Sequence, residues 1–534
     1  MWPFRSPKQK NNAATIALYA LLGAVTLTKV WFIVGTPLRA LVMSPWLLDD
    51  SFITMEVARN VAEFGRFSFD GLHLTTGVAP LWTYLIAIPL VGDDKSVTVP
   101  VVLLLSTLCG TLCSWVVYRI AANLTDDRWT AVAAAVLTAL MPAQFFNAMN
   151  GMETAFFSLL ILLALGGAAH ALRFSPVAWR HGAWTGAFLG VAILTRADSL
   201  FAIAAIGMWK AWMWYAEPKK RAETVRETIA IGVMVLAALA LFLAWQTIQT
   251  GSPFPDNQVG RRAIALEDHG FDPAHFVLMP YLKISTWNVF QLESLWSLAT
   301  GSTLLALLAL AWACMKKETA PMARVGTLYI ALFAAVLCFY QWYFPDLHGL
   351  RYINAGSHVA ILFLTLFIAQ VFAGTFRHLA LAACCIVLLT LSWYRYADTM
   401  RHYASFKDMG LFGQSNVETQ DKFWSAIDWV KENVPEDATI ALRDHGRMAF
   451  FTDRRIQDLA GILDGEVLSH KDNGTLGAYL AERGVTYSFL PDPSPGGTTI
   501  YQQMHESLRL QRVLGAPNQE ITGYKPYKVL GARP

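Results

Sequence analysis

Charge is scarce in this chain. Of its 534 residues only 15% are Asp, Glu, Lys or Arg while 55% are hydrophobic, and the mean hydropathy is +0.39. A soluble enzyme of this length needs far more charge at its surface, so the composition excludes that class and leaves a polytopic membrane protein. Cysteine is missing where disulfides would matter. All six (Cys109, Cys113, Cys314, Cys338, Cys384 and Cys385) fall inside apolar runs, so none staples the hydrophilic C-terminal part. The adjacent Cys384 and Cys385 read as small buried hydrophobes rather than metal ligands. A net charge of +3 is too small to point to nucleic acid, and no internal repeat or low-complexity segment is visible.

What is present is a series of apolar runs long enough to cross a bilayer. The first, residues 12–35, follows Arg5, Lys8 and Lys10; it is longer than a signal-peptide core and no small-residue cleavage site closes it, so it reads as an uncleaved span with a cytoplasmic N-terminus. Further helices are expected near 97–121, 129–147, 154–172, 182–196, 199–215, 227–250, 293–314, 322–344, 352–373 and 378–396, about eleven spans in all. The run 79–91 has prolines near both ends and is too short to cross, so it reads as a juxtamembrane or re-entrant segment.

With the N-terminus inside, the loops expected to be cytoplasmic hold Arg119 and Arg128, Arg173 and Arg180, Lys219 to Arg221 with Arg226, Lys316, Lys317 and Arg324, and Arg377. This is the positive-inside bias. Lys210, inside the sixth span, is expected to snorkel to the cytoplasmic interface. From residue 398 the chain reads as a soluble, extracytoplasmic α/β domain. Its signals are an amphipathic helix ending before Pro435, a strand "ATIALR", a helix "GTLGAYLAERG" closed by Gly484, a strand "VTYSFLP" and a Pro/Gly loop at 491–499. The expected division is therefore a membrane domain over 1–397, with a first outer loop at 39–96, and an outer domain over 398–534.

The chemically suggestive residues all lie on the side expected to face away from the cytoplasm. Asp49 and Asp50 follow "PWLL" where the chain leaves the bilayer and open an amphipathic helix. A helix cap explains one aspartate; a second beside it at a lipid boundary costs desolvation and repulsion unless it has a cationic partner or a function. Glu153 in "NGMETAFF" suits a helix N-terminus. Arg196 and Asp198 share a tight turn in which they can pair with one another. "GSPFPDNQVGRR" adds Arg261 and Arg262, and "DLHGLRY" adds His348 and Arg351. Arginine forks suit phosphate, and a carboxylate pair suits a general base, a nucleophile or a divalent cation such as Mg or Ca bridging to phosphate. Trp46, Trp82 and Tyr352 read as sugar-stacking or interface aromatics.

The ordered set "DDSFITMEVARNVAEFGRFSF", "NGMETAFF", "LTRADSL", "PFPDNQ", "HGLRYINA" and "VPEDATIALRDHGRMAFFTDRRIQDLAGILD" resembles the GT-C glycosyltransferases that use polyprenyl-phosphate sugars, and within them the bacterial arabinofuranosyltransferase branch. The resemblance implies a mainly α, polytopic GT-C fold in a bacterial inner membrane and a polyprenyl-phosphate-linked sugar donor, with arabinofuranose the expected sugar. It further implies an extracytoplasmic glycan or glycoprotein acceptor and catalysis by Asp49 and Asp50, which would also hold any divalent cation. Glu153, Asp198, Arg196, Arg261, His348 and Arg351 would line the donor site. Asp444, His445 and Asp458, with Asp464, would serve acceptor binding or simply form turns. The rival reading is a transporter or flippase of lipid-linked sugars, in which the same charges line a path. Such folds usually carry internal repeats, and a non-catalytic glycan-binding scaffold stands third.

Overall fold

The computed structural model describes residues 12–44, 46–92, 94–172, 177–253, 296–339, 351, 354–372, 374, 376–405, 417–443, 446–491, 500–513 and 524–533. Along the chain run α1 (Asn12–Gly35), α2 (Leu38–Val42), α3 (Asp49–Phe64), α4 (Pro80–Ala87), α5 (Lys95–Leu124), α6 (Arg128–Leu140), α7 (Pro142–Asn147), α8 (Thr154–Ala168), α9 (Ala178–Thr195), α10 (Ser199–Ala216), α11 (Arg221–Thr250), α12 (Trp296–Met315), α13 (Ala320–Phe339), α14 (Asn354–Val371) and α15 (Arg377–Ser405). Then follow α16 (Val417–Asn433), β1 (Thr439–Leu442), α17 (Gly446–Thr452), β2 (Arg455–Asp458), α18 (Glu466–Asp472), α19 (Leu476–Glu482), β3 (Val485–Pro491), α20 (Ile500–Ser507), β4 (Leu508–Arg512) and β5 (Tyr524–Ala532). They form two compact units, one of residues 1–35, 100–242 and 272–398, the other of 36–99, 243–271 and 399–534. The expected first outer loop thus shares a unit with the C-terminal residues.

The first unit is a helical bundle. Among the described residues each apolar run expected to span coincides with a helix, except that 129–147 is broken into α6 and α7 at Met141, because Pro142 cannot continue the hydrogen-bond ladder. Among the described residues five helices are long and apolar enough to cross a membrane, namely Ala13–Gly35, Lys95–Leu124, Pro218–Thr250, Asn354–Val371 and Arg377–Tyr394. The chain is a multi-pass membrane protein by these helices. The segment 79–91 is a short apolar helix that continues as a 3₁₀ turn over Ile88–Gly92.

Small residues set how closely the bundle packs. Gly182, Gly186 and Gly190 recur every fourth residue along α9 and face α11. A Cβ at Gly182 would run into the Glu227 carbonyl, and one at Gly186 would lie 2.9 Å from the Ile231 Cα. Lipid gives apolar helices no reason to leave it, so such close backbone contact is what holds two helices together there. Lys210 does not snorkel. It is buried within α10, donating to a Glu227 carboxylate oxygen at 2.5 Å and to the Ala168 carbonyl at 3.1 Å, a better site for an ammonium than the interface.

The second unit carries a five-stranded sheet ordered β2-β1-β3-β5-β4. β1 runs parallel to β2 and β3, while β5 is antiparallel to β3 and β4. Its core is Ala441, Leu459, Leu480, Leu490, Met504 and neighbours. The expected helix before Pro435, the two expected strands and the helix closed by Gly484, whose φ is +70°, are all in place. β2, β4, β5 and the helices α17, α18 and α20 are additions; the Pro/Gly loop lies largely outside the described residues. The loops after β1 and β2 leave the same edge of the sheet, since those strands are parallel.

Gly186→Leu should wedge α9 from α11. The expected outcome is a lower melting temperature and poorer recovery from detergent, consistent with overpacking costs of about 1–3 kcal/mol, with Gly207→Leu, whose Cβ would meet open space, as the neutral control.

Candidate active site

In the second unit the first of the two adjacent aspartates is tied to a distant helix. Both occupy the first turn of α3. The Asp49 carboxylate accepts the backbone amide of Gly446 on Oδ2 at 2.7 Å and that of Arg447 on Oδ1 at 2.8 Å. It therefore caps α17, a helix whose first residue lies almost four hundred positions later, using acceptor chemistry that ordinarily caps a residue's own helix. Only glycine fits at 446: an added Cβ would run into the Asp49 carbonyl and lie 2.9 Å from its Oδ2.

Arg447 completes this clasp. Its side chain is wholly buried and donates to the Val42 carbonyl at 3.1 Å and to the Leu47 carbonyl. Its guanidinium lies over the Phe52 ring and 3.7 Å from Asp49. An always-charged guanidinium buried in this way must be surrounded by acceptors, and two carbonyls plus a carboxylate supply them. Asp50, half-buried, is the next residue on the turn that this arrangement fixes.

Two further ties join the same segments. Arg59 bonds Glu56 at 2.6 Å and also Asp453, which receives Lys95 at 2.5 Å. Burial pushes the Glu56 carboxyl up against the pull of Arg59. For Asp453 burial is outweighed by Lys95 and Arg59, which hold it below the usual carboxylate range. Thr75 donates to the Leu463 carbonyl at 2.9 Å, and a Cβ on Gly77 would strike the Ile462 carbonyl. The motifs "TTGVAPLW" and "LAGILD" therefore fit backbone to backbone.

Asp458 is buried, and its carboxylate accepts the amides of Ala460 at 2.6 Å and Leu463 at 2.7 Å. It shapes the loop after β2, as the turn-forming reading expects. Asp464 accepts Gln457 at 2.6 Å and the Tyr479 hydroxyl at 2.5 Å. Trp82 is fully buried and belongs to the core, neither stacking on sugar nor anchoring at an interface. Asp444, His445, Arg261, Arg262, His348 and Tyr352 lie outside the described residues.

In the first unit Glu153, Arg196 and Asp198 come together. Arg196 donates Nη1 to Glu153 at 2.8 Å, and Nε and Nη2 to Asp198 Oδ2 at 3.1 and 2.5 Å; all three side chains are nearly buried. The pairing of Arg196 with Asp198 is the one their shared turn allowed, and Glu153 makes the cluster one carboxylate richer than it is basic. Arg351, also buried, donates to the Met152 thioether at 3.0 Å, one residue from Glu153.

Sequence reasoning missed the amide network around these charges. Asn354 donates to Ser158 at 2.9 Å, Asn150 Oδ1 accepts the Met152 amide at 2.9 Å, and Gln144 donates to Ser357 at 2.5 Å. Asn147 lies between, within 3.4 Å of Asn354 and 3.3 Å of Asn150. The signal was available: three asparagines and a glutamine in otherwise apolar surroundings need partners in lipid.

Comparison with known proteins follows from this geometry. A family model described as dolichyl-phosphate-mannose-protein mannosyltransferase matches residues 78–246, and a domain of unknown function (DUF8728) matches residues 413–527. Among solved structures, the apo oligosaccharyltransferase of Archaeoglobus fulgidus is 14% identical with a TM-score of 0.55, covering 89% of this chain and 69% of its own. ArnT from Cupriavidus metallidurans bound to undecaprenyl phosphate is 14% identical at 0.51, covering 95% and 97%. The arabinofuranosyltransferase AftD from Mycobacteria, at a TM-score of 0.45 with 15% identity, covers 100% of this chain and 41% of its own, a likeness too loose to carry an argument. Comparison with curated protein sequences finds no match. The chain shares its fold with the archaeal oligosaccharyltransferase and with ArnT.

Gly446→Ala should open the clasp and lower the melting temperature of the purified protein, with Gly465→Ala, whose Cβ has open space, unaffected. Asp453→Asn should be less stable than the intact protein at neutral pH. Because the folded-state value of Asp453 is depressed, its contribution is present above about pH 4, the unfolded value, and is lost as pH falls through the folded value. The difference in melting temperature between the two proteins should therefore close only in that acid range.

Proposed function

We propose that the protein is a glycosyltransferase that moves a sugar from a polyprenyl phosphate donor to an extracytoplasmic glycan or glycoprotein, with arabinofuranose as the sugar. The observation that supports this reading is the cap that Asp49, at the start of α3, places on α17. Asp49 holds α17 by two backbone amides, which fixes the turn that presents Asp50. Asp50 is then the general base that takes the proton of the acceptor hydroxyl as that oxygen attacks the anomeric carbon and the lipid phosphate departs. A carboxylate in the first turn of a helix meets the positive end of the helix dipole, and proton removal from a hydroxyl needs such a group within reach.

The donor phosphate is assigned to Arg351, beside the asparagine network. Arg196 is read as the strut of its two carboxylates rather than as a phosphate clamp. A divalent cation, where one takes part, would be held by Asp50. Both the membrane domain's basic loops and the expected cytoplasmic N-terminus support an outward-facing site. Nucleotide sugars do not reach that side, whereas a lipid-linked sugar does, and its phosphate leaves without needing a strong acid.

The test is transfer of radiolabel from polyprenyl phosphoryl arabinose to endogenous acceptors in membranes. Asp50→Asn should lower transfer by roughly 10²-fold or more at unchanged melting temperature. Asp49→Asn should lose transfer together with stability. Full activity in Asp50→Asn would end this assignment; labelling from a hexose donor alone would keep the reaction class and change the sugar.

A further inference from the structure

A second constellation lies at the other end of the helical bundle, away from Glu153 and Arg196. α8 separates the two: its fifteen residues span about 22 Å, with Glu153 just before the helix and His170 just after it. His170 Nε2 stands 3.0 Å from Glu227 Oε1, and His181 Nδ1 stands 3.8 Å from the same oxygen. The three residues come from the turn after α8, from α9 and from the start of α11. One donor atom from each lies within 4.8 Å of the others.

We propose that His170, His181 and Glu227 form a binding site for a divalent transition-metal ion of the zinc class. A tetrahedral zinc with donors at about 2.0–2.1 Å sets those donors roughly 3.3 Å apart, and the two measured separations bracket that value. Without an ion the arrangement is only partly satisfied, through His170 Nε2 at 3.1 Å from Glu227 Oε2 and 3.5 Å from the Lys210 ammonium. Glu227 Oε1 and His181 Nε2 are buried and make no hydrogen bond, and each such group carries a desolvation cost. Coordination at Oε1 removes one of these costs. His170 and Glu227 also line a cavity of about 390 Å³ bordered by Trp209, Trp212, Glu223 and Arg324, which leaves the ion an open position for water.

Lys210 is the competing feature. Its ammonium bonds Glu227 Oε2 at 2.5 Å, the oxygen that His170 Nε2 also approaches to 3.1 Å, and it fixes the carboxylate's orientation, as outer partners of metal ligands commonly do. Its charge opposes that of an incoming cation. The site should accordingly bind more weakly than a zinc site with a neutral surround, and removing the charge should tighten it. This inference is independent of the transferase reading, since it uses none of the residues assigned there.

The experiment is a titration of the full chain, purified in detergent and stripped with chelator, with Co(II) followed by its visible ligand-field absorption and with Zn(II) followed by melting temperature. The intact protein should take up one cobalt with a tetrahedral-type band and melt higher with zinc. His181→Gln, which disturbs the weakest of the existing contacts, should weaken binding by about ten-fold or more. Lys210→Met should bind more tightly and should regain with zinc part of the stability it loses. Absence of a cobalt band in the intact protein overturns the proposal, whatever the variants do. So does binding unchanged by both His170→Gln and His181→Gln, which would put the ion elsewhere.

Discussion

The second unit depends on one carboxylate accepting two backbone amides. Asp49 belongs to the segment that follows the first span and α17 to the part of the chain beyond β1, and the bonds at 2.7 and 2.8 Å make the start of α3 and the start of α17 a single structure. The cap neutralises donors that a seven-residue helix could not satisfy itself. It also demands that residue 446 have no side chain and that an arginine follow, to balance the carboxylate and bond the carbonyls of the 42–47 segment. The other ties, through Arg59 with Asp453 and through Thr75 with Leu463, continue the same docking along the loops that leave the sheet's carboxyl edge after β1 and β2. In open α/β sheets that edge is where loops gather and ligands bind; here part of it is occupied by the protein's own first loop.

This gives Asp49 a partner that its sequence neighbours do not reveal. Asp49 and Asp50 are identical side chains one position apart, a hundred-degree turn about the helix axis. Nothing local in "LLDDSF" tells which is which, because the group that decides it lies in "RDHGR". The helices of the bundle were legible because lipid demands long apolar runs with internally bonded backbones, and the break at Pro142 was the one place where the chain's own chemistry cut a run short. In the sheet, β1 and β3 announce themselves through β-branched and aromatic residues. β4 and β5 do not: "LRLQR" is mostly polar, and "YKPYKVLGA" carries a proline within a strand. Both are recognisable only by their pairing with each other and with β3.

Burial changed the meaning of several charged residues. Lys210 read as a cation able to reach the interface and is instead the partner of Glu227; Asp458 read as an acceptor-binding or turn-forming residue, and its carboxylate accepts the amides of its own loop. In both cases the sequence showed the charge but not the partner, which comes from a neighbouring helix or from the fold of the loop. The same limit applies to the second partner of Arg196: Asp198 was expected from their shared turn, whereas Glu153 comes from the start of another helix.

These pairings also solve a problem that lipid creates. Inside the bundle the packed faces are rich in alanine and glycine, with Ala131, Ala134, Ala164, Ala192, Ala202 and Ala205 in its core. Such faces permit close approach but specify little about how far one helix slides along another, and the hydrophobic effect contributes nothing to that choice within a bilayer. Buried ionic groups can supply it, because a slipped register leaves a charge without its partner at severe cost. The placement fits that role: Glu153, Arg196 and Asp198 fasten the ends of α8, α9 and α10 on one side, while Lys210, Glu227 and the two histidines fasten α8 through α11 on the other. With both ends held, the glycine stripe of α9 meets α11 in one register only. The few charges the sequence keeps within the bundle therefore do most to define its geometry.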